Sequence, residues 1–140
     1  MSKNLEAYKT SQTLKNLDKN PHEIVQFLME HLISCLENII TDLTSDKIEN
    51  EYIDLKEKAE KRSKNLSKSL TIIYSLQISL DFDKSPDISN NLFQMYEFCR
   101  QQIIKFIKSQ STSGLHKSVD LIREILEAWN SIPISSKKNV

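Results

Sequence analysis

The residues able to do chemistry are few and far apart. Three histidines (His22, His31, His116), two cysteines (Cys35, Cys99) and one glycine (Gly114) stand in 140 residues. A di-metal site in a helical bundle takes a glutamate from each of two helices and a Glu-x-x-His pair from each of the other two. Glu23 and Glu30 beside His22 and His31 do not make that set. Two isolated cysteines make no zinc motif. Neither cysteine has an evident base partner, and there is no serine elbow. A single glycine leaves no phosphate-cradling glycine loop. No catalytic residue, metal or cofactor is expected, and the chain does not read as an enzyme. His31 falls near a helical apolar stripe and reads as a packed histidine. Cys35 and Cys99 read as small buried core residues in a reducing compartment.

The elements around these residues are helical. One glycine and three prolines among many Leu, Ile, Lys, Glu and Ser residues leave few breakers for a sheet protein. The length is that of one domain. Lysine plus arginine equals aspartate plus glutamate, for a formal net charge of +0. That balance argues against a general hold on nucleic acid or anionic membrane, which needs a basic excess. The basic run Lys56–Lys68 is interrupted by Glu57 and Glu60 and reads as a solvated helix face. Aromatic residues do not interleave with it, as single-strand nucleic-acid binding would need. The first six residues lack the apolar core of a signal peptide. No run approaches a transmembrane length, so the expectation is a cytoplasmic protein without membrane insertion.

Four amphipathic helices follow from the spacing. Asn20, Pro21 and Glu23 form an N-terminal signal, followed by Ile24, Leu28, Leu32, Cys35, Leu36, Ile39 and Leu43 at steps of three and four. Thr44-Ser45-Asp46 breaks the pattern. A long second helix over about 47–80 carries Ile48, Tyr52, Leu55, Ala59, Leu66, Leu70, Ile73 and Leu80. It is thin in apolar residues around Arg62 and Ser63, where it extends beyond the core or bends. Ser85-Pro86-Asp87 opens a third helix with Ile88, Leu92, Met95, Cys99, Ile103 and Phe106. A serine-rich loop over 108–114 precedes a fourth, with Leu115, Val119, Ile122, Leu126 and Trp129, ended by Pro133. The fold expected is all-α: an antiparallel four-helix bundle over 20–132, a mobile N-terminal arm over 1–19 and a disordered tail over 133–140.

The helices carry more apolar residues than one stripe each. Met29, Ile33 and Ile40 lie beside the first stripe, Ile72 and Leu76 beside the second, Phe93 and Ile104 beside the third, and Leu121 and Ile125 beside the fourth. Two readings are open. Either a small bundle buries broad faces and the stripes are drawn off-centre, or the surplus forms an exposed groove for a partner helix.

The order of several short motifs resembles one family, the flagellar secretion chaperones. Ala7-Tyr8 stands in the arm, and Pro21-His22-Glu23-Ile24-Val25 opens the first helix. Leu76, Leu80 and Asp81 fit a leucine, three residues, leucine, aspartate element. Asn91-Leu92 precedes Met95-Tyr96-Glu97-Phe98, which is similar to the family's leucine-tyrosine-acid-aromatic element, and Trp129 ends the fourth helix. Departures are Met29-Glu30-His31 for tyrosine-acid-glycine, Lys84-Ser85-Pro86 for paired glycines, and Phe106-Ile107 for alanine-asparagine. The resemblance implies a cytosolic export chaperone. It would bind the disordered C-terminal segment of flagellin, prevent premature polymerisation and keep the subunit competent for type III flagellar secretion. The expected partner-binding residues are Tyr8, Ile72, Leu76, Phe93, Ile104, Leu121 and Ile125, with the arm around Tyr8 covering part of the groove when it is empty. The flagellar export apparatus is a second candidate partner, and the expected state is a monomer or weak dimer. The alternative is a self-associating structural or regulatory helical module using the same surface.

Overall fold

In the computed structural model, residues 20–44 and 51–132 are described. They form α1 (Pro21–Thr44), α2 (Glu51–Ile78), α3 (Pro86–Ser109) and α4 (Ser113–Ser131). Among the described residues there is no strand. Each helix packs against two others: α1 and α3 both lie on α2 and α4. This is the expected all-α four-helix bundle. The arm, Tyr8 within it, and the tail lie outside the described residues.

The helix ends follow the local chemistry. Asn20 caps α1, its Oδ1 accepting from the His22 amide at 3.0 Å, and Pro21 occupies the first turn, where a missing N–H costs nothing. Pro86 does the same in α3, with Asp87 in its first turn. The α2–α3 turn is held by Asp81. Its Oδ1 accepts from the amides of Asp83 and Lys84, both at 3.1 Å. Its carbonyl accepts from the Ser89 hydroxyl at 2.9 Å.

The α3–α4 loop is shorter than expected, only residues 110–112. Gln110 adopts a left-handed conformation (φ 60°) and returns its amide to the Phe106 carbonyl at 2.7 Å, the hydrogen bond that closes a helix C-terminus. The Arg62 guanidinium donates to Gln110 Oε1 at 2.9 Å. Gly114, expected in that loop, lies within the first turn of α4. A Cβ there would meet the Gln102 amide end, which can turn away, and the Gln102 Cβ at 3.2 Å, which is tight. The glycine eases the close approach of α3 and α4.

The core contains Met29, Leu32, Cys35, Leu36 and Ile39 from α1, Ile72, Ile73 and Leu76 from α2, Tyr96, Cys99, Ile103 and Phe106 from α3, and Leu115, Ile122, Ile125 and Trp129 from α4. Three serines, Ser69, Ser89 and Ser118, are buried with them at 0% exposure. Ser69 and Ser118 donate to the carbonyls of Asn65 (2.7 Å) and Gly114 (2.9 Å) one turn earlier, so little hydrogen bonding is lost on burial.

These serines correct the expected stripes. In α2 the buried face is Asn65, Ser69, Ile72, Ile73 and Leu76. The apolar-only pattern skips the two polar members and centres the stripe too far round. In α3, Tyr96 is in the core where Met95 was expected, and Ile88 is exposed. In α1, Met29 and Ile33 are core residues too, because this helix is covered from two sides. The first half of α2 projects past the core, with Leu55 and Ala59 exposed.

A second correction concerns α1. By length and composition Pro21–Thr44 could cross a membrane, with a window of mean hydropathy 1.2. The bundle uses it differently: its apolar face lies against α2 and α4.

Candidate partner-binding surface

The titratable residues do not gather. Among the described residues no three His, Cys, Asp or Glu side chains could share a metal ion. Burial pushes the Cys99 thiol up to about 11, with Ser118 hydrogen bonding opposing it. Burial also raises Cys35. A nucleophilic cysteine needs the opposite shift. His31 lies edge-on to Phe27, ring centroids 5.8 Å apart. Partial burial lowers its pKa, helped by the nearby Lys68 charge.

What the bundle does offer is a few accessible apolar side chains on either side of α3: Phe93 and Ile104 toward α2, Met95 and Leu121 toward α4. The flank toward α2 carries Phe93, Glu97, Arg100 and Ile104 at steps of four, three and four. Gln77 of α2 ties into it, donating to Glu97 Oε2 at 3.2 Å and toward the Phe93 carbonyl at 3.5 Å. Arg100 holds Glu97 from the next turn, its Nε 2.9 Å from Oε2. Those hydrogen bonds hold the Glu97 carboxyl down at about 2. Phe82 of the turn packs edge-on to Phe93 with centroids 6.1 Å apart. The flank toward α4 carries Met95, Cys99 and Gln102. Opposite it, Gly114, Ser118, Leu121 and Ile125 recur at steps of four, three and four along α4.

The expected binding residues divide between these flanks and the core. Phe93, Ile104 and Leu121 are half-buried on the two seams. Ile72, Leu76 and Ile125 are buried core residues, not exposed groove residues. The shift of the stripe toward Ser69 and Ser118 carries them inward. Sequence reasoning missed the large apolar residues left outside: Tyr74, Ile78, Phe82, Ile88, Met95, Phe98 and Ile107. Once Ser69, Ser89 and Ser118 are placed inside, the helical members of this set fall on the solvent side of the same helical wheels, and Phe82 lies in the turn.

A concave site closes the same end of the bundle. A cavity of about 240 Å³ lies between the start of α1 (Pro21, Ile24, Val25), Leu80, Leu92, Tyr96 and Trp129. Trp129 stacks on His22 with centroids 5.6 Å apart and donates from Nε1 to the His22 carbonyl at 3.2 Å.

The family model for flagellar protein FliS matches residues 2–136. The chain belongs to this family. It is 33% identical over 134 residues to the flagellar secretion chaperone FliS of Vibrio cholerae serotype O1, covering 95% of this chain and 90% of that one. It is 24% identical over 115 residues to the flagellar secretion chaperone FliSB of Pseudomonas aeruginosa, covering 82% of each. No solved structure matches. The resemblance read from Ala7-Tyr8 through Trp129 and the family match cover the same stretch of chain.

Proposed function

We propose that this chain is a cytosolic export chaperone for flagellin, holding the subunit's disordered C-terminal segment against α3. The observation that carries the reading is the set of accessible apolar residues beside α3, Phe93, Ile104, Met95 and Leu121, in a chain of this family, without a cluster of reactive groups among the described residues. Such a surface binds by apolar side chains at helical spacing and needs no catalytic group. A disordered segment that folds on binding must bury enough apolar area to exceed its ordering cost. Two seams on one helix let a single segment use both. Phe93 and Ile104 contribute the α2 side and Leu121 the α4 side, with the neighbouring Met95 and Phe98. Ile72, Leu76 and Ile125 support those seams from the core. Covering the client's C-terminal segment withholds it from polymerisation and leaves the remainder free for the secretion machinery.

Calorimetric titration with the C-terminal segment of flagellin, beside an N-terminal segment, tests this. The C-terminal segment alone should bind saturably with a negative heat-capacity change. Ile104→Glu and Leu121→Glu should each weaken binding while the helical signal persists. A folded protein that gives no heat with the C-terminal segment would remove flagellin as client. Concentration-dependent dimerisation in that case would favour the self-associating module.

A further inference from the structure

Several exposed apolar residues lie at the α2–α3 end. Tyr74 and Ile78, one turn apart on the outer face of α2, are 63% and 64% exposed, and Phe82 beside them is 45% exposed. Phe93 extends the strip through its edge contact with Phe82. Tyr74 to Ile78 spans about 6 Å, one turn of helix, and Phe82 follows in the turn. Apolar residues at such spacing on a surface fit the apolar face of another helix.

The charge around the strip decides what kind of helix. Lys84 is drawn to Asp81 at 3.9 Å and Arg100 to Glu97, so both local cations are engaged. Asp83 and Asp87 have no cation within ion-pair distance among the described residues. The last turn of α2 contains no basic residue. The carbonyls of Ser75, Leu76 and Gln77 accept from Ser79 and Leu80, so the partial negative charge at that helix C-terminus is met by hydrogen bonds but by no cation. Exposed aromatic faces such as Tyr74 and Phe82 also attract guanidinium and ammonium groups. Each of these features favours a cation beside the apolar contact.

We infer that the Tyr74–Phe82 strip docks an amphipathic helix of a partner protein that carries arginine or lysine beside its apolar face. The apolar residues supply the contact area, and Asp83, Asp87 and the α2 carbonyl end select the charge. This goes beyond the flagellin reading and holds whichever protein supplies the helix.

The test uses two synthetic amphipathic peptides of about five turns, leucine on one face and either arginine or glutamate on the other. They are titrated against the full chain with amide chemical-shift mapping. The arginine peptide should bind and shift amides over 74–83, and the glutamate peptide should bind at least tenfold more weakly at low salt. Asp83→Asn with Asp87→Asn should weaken the arginine peptide by roughly three- to tenfold at low salt. High salt should abolish that difference. Ile78→Ser, at an exposed position, should weaken both peptides without altering the thermal midpoint. Equal binding of the two peptides, or shifts mapping away from 74–83, would overturn the inference. Self-association of the chain lost on Asp83→Lys would overturn it too, because a second copy would then be the occupant. Failure of the flagellin titration leaves these outcomes unaffected.

Discussion

Replacing Leu76 by alanine separates a core role from a groove role. Leu76 is 1% exposed and belongs to the continuous core. Truncation removes three carbon groups, a transfer loss of about 2.4 kcal/mol at ~0.8 kcal/mol each. The void adds to this, because helices fixed on both sides cannot fully collapse into it, and buried Leu→Ala changes span about 2–5 kcal/mol. The expected loss is about 3 kcal/mol, which lowers the thermal midpoint of a domain this size by roughly 10–15 °C. Far-UV circular dichroism during heating and urea titration reads it. The urea midpoint should fall with the slope unchanged. The control is Ile78→Ala, which at its exposed position should change stability by no more than about 0.5 kcal/mol. A loss under about 1 kcal/mol for Leu76→Ala, together with abolished client binding, would refute the packing argument and return Leu76 to the exposed groove.

Two other outcomes follow from the α3–α4 contact. Gly114→Val should cost about 1–3 kcal/mol by overpacking, and Gln102→Ala should recover part of it, giving a coupling readable in a double-mutant cycle. Cys99 should resist thiol reagents until the protein unfolds, because its ionisation is pushed up to about 11. The unfolded thiol ionises from about 8.5, so this contribution to stability is intact below about pH 8.5 and is lost as pH rises toward 11. Burial raises Tyr96 as well, in the same direction. Chemical denaturation across that window should show a falling midpoint, and the fall should be shallower in Cys99→Val.

The helices and their order are readable from local signals. Asn20-Pro21 and Ser85-Pro86 mark helix starts by backbone chemistry alone, and the four apolar periodicities require four helices. The rotation of each helix was harder to read. A hydroxyl that returns its hydrogen bond to its own helix can be buried at small cost, so Ser69 and Ser118 belong to the core while counting as polar. Each displaces the apparent apolar centre by a residue or so. That displacement is enough to bring Leu76 from the expected surface into the core, and to exchange Met95 for Tyr96 there. Of the residues expected to line a groove, Phe93, Ile104 and Leu121 lie half-buried on the seams. The Gln110 turn left no such trace, since its left-handed backbone is occupied by a residue without glycine's freedom.

The pairing of α1 with α4 sets a delay during synthesis. His22 and Trp129, which touch across that seam, are 107 residues apart. At ~5–20 residues per second the ribosome needs roughly 5–20 s to pass from one to the other. During that interval α1, apolar enough by length and composition to cross a membrane, has α2 to cover it on one side and nothing from α4 on the other. A nascent chain in that state displays the kind of segment that targeting factors and holdase chaperones bind. The seam between α1 and α4 therefore closes only after the last helix has been made.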